Sequence, residues 1–124
     1  MKIVKINQVE HEQKAWERSL QFLKQENALL KYRLSEMVDM SEGNGFLQLA
    51  EYFQNELLLK DAILEKLIKK LHHISETFEK MPATEKISEN LLLKQQEFRN
   101  EILNLENDFI YLSKEFNEKI SQNI

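Results

Sequence analysis

Cysteine is absent from this 124-residue chain, and proline and glycine are nearly so, at one and two residues. Without cysteine there is no disulfide and no thiolate metal site. Without proline and glycine there is little to break a helix. The few breakers are grouped at Gly43-Asn44-Gly45 and at Met81-Pro82, so they divide the chain into three long uninterrupted stretches. Long apolar runs are also missing. Leu57-Leu58-Leu59 stops at Lys60, far short of the roughly 20 apolar residues that span a bilayer. The basic start, Met1 to Asn7, leads into no apolar segment of the kind a secretory leader needs. The expectation is a cytoplasmic protein without membrane contact. No basic excess exists either. The net charge is -4, and a nucleic-acid binder normally shows a basic patch or stripe, so no nucleic-acid partner is expected.

Catalytic and metal signatures are absent in the same way. The histidines are His11, His72 and His73. None belongs to the Glu-x-x-His pairs that di-metal bundles project inward, nor to a His-Glu-x-x-His helix. No Gly-x-x-x-x-Gly-Lys phosphate loop and no nucleophile elbow occur. The basic cluster Lys66, Lys69, Lys70, His72 and His73 is flanked by Glu65 and Glu76 and reads as a solvated face. No enzyme activity, metal or cofactor is expected.

What the chain does have is charge and apolar periodicity, with 31% charged and 42% hydrophobic residues, a balance that folds. From about 7 to 41 the apolar positions are Val9, Trp16, Leu20, Leu23, Leu30, Leu34 and Met37, with Asn27 among them, in alternating steps of four and three after Trp16. Asn7 is the expected N-cap. From about 45 to 80 the stripe is Phe46, Ala50, Phe53, Leu57, Lys60, Leu64, Leu67, Leu71, Ile74, Phe78 and Met81. From about 83 to 121 it is Leu91, Phe98, Ile102, Leu105, Phe109, Leu112, Phe116 and Ile120. Such spacing keeps one helix face apolar. The fold class predicted is all-α: a single domain over 1–124, built as an elongated up-down-up three-helix bundle with coiled-coil-like packing.

A hairpin folded about residues 43–44 pairs positions by reflection. Leu23 then meets Leu64, Leu34 meets Phe53, and the two polar interruptions, Asn27 and Lys60, fall in one layer. Folding back about Pro82 likewise sets Leu105 near Lys60 and Leu112 near Phe53. The Asn27–Lys60 layer is therefore a candidate buried polar site, with Glu101 or Asp108 as partners for the ammonium, since a buried charge needs pairing. It reads most simply as a device that fixes register.

The apolar faces are wider than one slender core can bury. Phe22, Leu29, Leu59, Leu93, Leu103 and Ile110 are the candidate association surface, because large exposed apolar patches mark contact sites. The functional expectation is a non-catalytic interaction or scaffold protein that forms a homodimer or binds another helical protein. The alternative is a bundle holding a small apolar ligand between its helices.

Overall fold

Breaker-poor sequence becomes three long helices in the computed structural model, which describes residues 6–40, 44–81 and 87–121. They are α1 (Ile6–Met40), α2 (Asn44–Glu79) and α3 (Glu89–Ser121). No strand occurs among the described residues. The apolar stripes supply one continuous core running the length of the bundle. Phe53, Leu57 and Phe116 are fully enclosed at its centre. Ile87, Phe98, Phe109 and Ile120 recur every eleven residues; the last three are buried on α3, and Ile87, ahead of the helix, is half-buried against the core.

Cross-helix pairs fix the direction of each helix. Asn27 bonds to the Leu57 carbonyl and to Asp61, and Gln13 to Ser75. Low numbers on α1 therefore meet high numbers on α2, which is antiparallel. Trp16 packs against Phe98 with tilted rings, centroids 4.9 Å apart, and Arg33 bonds Asn117, so α3 runs parallel to α1. The bundle is up-down-up, with α1 and α2 the most closely packed pair.

The α2–α3 register differs from the reflection about Pro82. Phe53 meets Phe116 rather than Leu112, one turn further along, with centroids 5.1 Å apart. The ion pair Lys70–Glu101, at 2.6 Å, obeys the same shifted register. The cause is the start of α3. Ile87 and Ser88 are non-helical and the helix begins at Glu89, not near 83. A longer connection moves the fold-back point about two residues past Pro82, and the pairing then shifts by twice that. The expected segment 83–86 and Pro82 itself lie outside the described residues, as do residues 41–43 of the first turn.

Ser88 sets that start. Its Oγ accepts from the Leu91 N–H at 3.2 Å, and its carbonyl accepts from the Leu92 N–H at 3.1 Å. A serine in this position satisfies one of the orphan donors of the first turn. Ser88→Ala is expected to cost about 1 kcal/mol, read as a lower midpoint in denaturant melts. An unchanged midpoint would show that Ser88 does not cap α3.

Two end assignments differ from the sequence expectation. Asn7 lies inside the first turn of α1, because the helix already begins at Ile6, so it is not the cap. Gly45 lies inside the first turn of α2, where an added Cβ would meet nothing within 4 Å.

Candidate functional site

Two polar layers interrupt the core. The first is the Asn27–Lys60 level. Asn27 is fully buried, because its place in the α1 stripe points it at α2. Its Nδ2 donates to the Leu57 carbonyl at 3.0 Å and to Asp61 Oδ1 at 2.6 Å. Asp61 Oδ2 in turn accepts from Lys31 Nζ at the rim. The Asn27 Oδ1 has no partner in its buried position. An orphaned buried acceptor costs on the order of 1–3 kcal/mol.

Lys60 shares the level and only 8% of its surface is exposed. The expected carboxylate partners do not reach it. Glu101 is held by Lys70, and neither Asp108 nor any other described carboxylate pairs with the Lys60 ammonium. The shifted α3 register carries Glu101 away to the Lys70 level. Asn27 therefore satisfies its donors on Asp61, one residue past Lys60, and the lysine contributes its aliphatic stem to the core.

The second layer lies nearer the N-terminus of α1, and apolar periodicity alone misses it. Gln13 and Gln95 are buried, at 5% and 2% exposure. Gln13 Nε2 donates to Gln95 Oε1 at 3.2 Å, and Ser75 Oγ donates to Gln13 Oε1 at 3.2 Å. Gln95 Nε2 donates to Glu12 Oε1 at 3.0 Å. Arg99 closes the chain, donating from Nε and Nη2 to the two Glu12 oxygens at 2.8 and 2.6 Å. Its guanidinium also lies 6.0 Å from the Trp16 ring centroid. All three helices thus join one network. Such satisfied networks specify which elements pack together.

The Arg99 hydrogen bonds hold the Glu12 carboxyl below the usual carboxylate range, against the opposing effect of burial. A depressed folded-state pKa contributes stability that is present above about 4.5 and is lost as pH falls through the lower folded value. With Arg99 43% and Glu12 31% exposed, solvent keeps this contribution under about 1 kcal/mol. Arg99→Met is expected to flatten the acid limb of a melting-temperature profile below pH ~4.5. An identical acid limb would remove the pair from the account.

Outside the core, all six candidate association residues are exposed. They are Phe22 at 59%, Leu29 at 49%, Leu59 at 56%, Leu93 at 52%, Leu103 at 49% and Ile110 at 68%. The structure does not bring all six together. Phe22 and Leu29 on α1 flank the same groove as Leu103 and Ile110 on α3. Leu59 lies on the outside of α2, and Leu93 lies near the start of α3.

A groove of about 300 Å³ between α1 and α2 is lined by Lys31, Leu34, Val38, Ala50 and Leu58 among others. A second, of about 260 Å³, lies beside Gln13, Ser75 and Phe78. Neither touches Lys60. His11, His72 and His73 are exposed. No cluster of three or more metal-ligating side chains occurs among the described residues. No described helix is long and apolar enough to cross a membrane.

Comparison with models of protein families, with curated proteins and with solved structures gives no match.

Proposed function

We propose that this chain is a non-catalytic helical interaction protein that works by associating with itself through its helix faces. The observation that carries the reading is the partition of its large apolar side chains. The core stripes are buried in one cluster, yet thirteen large apolar residues stay at least one-third exposed among the described residues. Scattered exposed leucines are ordinary. Here Phe22 and Leu29 on α1 and Leu103 and Ile110 on α3 flank the same groove, and that arrangement favours association. The buried polar groups point the same way. Their hydrogen bonds run between helices of the bundle, so they serve packing rather than a substrate.

The test is the mass in solution. Size-exclusion chromatography with light scattering is expected to give about twice the 14.8 kDa chain mass on a symmetric dimer, the commonest closed oligomer. A single-chain mass that persists at the highest soluble concentration would refute the proposal.

A further inference from the structure

We propose that the outer face shared by α1 and α3 is the seat of a second copy of this chain, an inference that rests on the self-association reading above. The face is assembled by register. The α1 column Glu12, Ser19, Glu26, Arg33 looks toward α3, since Glu12 holds Arg99 and Arg33 holds Asn117. Phe22 and Leu29 are the next positions outward round the same helix. On α3, Leu103 and Ile110 stand fourteen and seven residues before Asn117, in its own column, and Asn117 bonds Arg33. Phe22 is level with the turn at 104–106, by the Trp16–Phe98 and Arg33–Asn117 pairs. The four apolar side chains therefore interleave along one groove.

The composition of that face is unlike the rest of the molecule. Positions 22, 25, 29 and 32 on α1, and 100, 103, 107 and 110 on α3, are all exposed. None carries a charge, in a chain that is 31% charged. They are apolar residues, Gln or Asn. Depletion of charge with retention of aromatics is the compositional mark of an interface core.

The same composition identifies the occupant. A strongly charged partner would find no charge at these eight positions, the nearest carboxylates being the half-buried Glu26 and Glu106 between the two helices. A second copy brings the same neutral surface. Amides both donate and accept, so one copy's Gln and Asn side chains can satisfy those of the other, while apolar meets apolar. The area suffices. Phe22 and Tyr32 are 59% and 61% exposed, and at roughly 200 Å² per aromatic side chain they offer about 240 Å². Leu29, Leu103, Ile110 and three amides bring this toward the ~800 Å² per partner of a standard interface. The stretch around Leu58 and Leu59 on α2 is bordered on α3 by the carboxylates of Glu101, Asp108 and Glu115, so it lacks the same neutrality.

Sedimentation equilibrium of the full chain, Ile110→Lys, Phe22→Lys and Leu59→Lys separates the outcomes, with far-UV circular dichroism to confirm the fold. All three positions are more than half exposed, so the monomer should fold in each case. The expected result is a wild-type dimer and an unchanged Leu59→Lys. Ile110→Lys and Phe22→Lys should each weaken the dimer by at least about 100-fold, because a lysine there drives a hydrated ammonium into an apolar contact. A wild-type dimer that survives Ile110→Lys and Phe22→Lys, or one that Leu59→Lys also breaks, overturns the choice of face and leaves self-association standing. A wild-type monomer overturns both.

Discussion

Phe53→Ala is expected to remove about 3–5 kcal/mol of folding stability, the cost of truncating a fully enclosed aromatic. Phe53 has no exposed surface, and it sits edge-on to Phe116, also fully buried, at 5.1 Å between centroids. Above Phe116 lies the Arg33 guanidinium, 5.3 Å from the ring centroid. One substitution therefore leaves a cavity where α2 meets α3 and slackens the contact that α1 makes through Arg33. Domains of this kind are stable by only about 5–15 kcal/mol in total, so the variant should be partly unfolded at physiological temperature. Guanidinium melts of the variant and of Ile110→Ala provide the comparison. Ile110 is 68% exposed, and its truncation should leave the stability of the monomer within about 0.5 kcal/mol. A loss below about 1 kcal/mol for Phe53→Ala would mean that the aromatic pair is not at the centre of the core.

Asn27→Asp is the second large effect, and it is a matter of charge alone, since the side chains have nearly the same shape. The Asn27 Nδ2 lies 3.0 Å from the Leu57 carbonyl oxygen and 2.6 Å from the Asp61 carboxylate. An ionised aspartate would set an oxygen against both acceptors, one of them already negative, in a fully buried position. The expected loss at neutral pH is about 3–5 kcal/mol, as for an uncompensated buried charge.

The sign of its pH dependence follows from linkage. Burial and the Asp61 charge raise the folded-state pKa of the new carboxyl above its unfolded value of about 3.9. The difference from wild type should therefore be small near pH 4, where the protonated acid can donate one hydrogen bond. It should then grow as pH rises toward the folded pKa. Chemical denaturation of both proteins at pH 4 and pH 7 measures it. Equal losses at the two values would show a steric defect instead. Asn27→Leu should move the other way and gain roughly 1 kcal/mol, since it deletes the orphaned Oδ1.

These two sites also mark what was legible in the sequence. Step lengths of three and four were enough to find the helices, nearly all of the core and the level of the Asn27 layer. They also gave the α1–α2 pairing, because the connection there is short and the reflection point is tightly bounded. The reflection sets Asn27 opposite Lys60, and its hydrogen bonds go to Leu57 and Asp61. A reflection fixes height, while the direction of a side chain at that height depends on rotamer and crossing geometry.

The Gln13–Gln95 layer was visible in a different way. Each residue fills a gap of seven in its stripe, Gln13 between Val9 and Trp16, Gln95 between Leu91 and Phe98. Two polar residues at the same level of parallel helices are the signal, and a reading confined to apolar positions passes over it. The α2–α3 register depended on where α3 starts, and Ser88 sets that start at Glu89 rather than near 83. Glu12 and Arg99 flank the stripe, so their pairing could be read only once the α1–α3 register was known.

The central claim is that α1, α2 and α3 of one chain pack in this register and leave the α1–α3 face outside. Since the chain has no cysteine of its own, Arg33→Cys with Asn117→Cys gives a clean test, because these two side chains meet at 3.1 Å across α1 and α3. A short thiol-to-thiol cross-linker applied at high dilution is expected to link the two cysteines within a single chain, giving a fast-migrating band of unchanged mass. Failure to link, or linkage only between chains, would contradict the bundle described here.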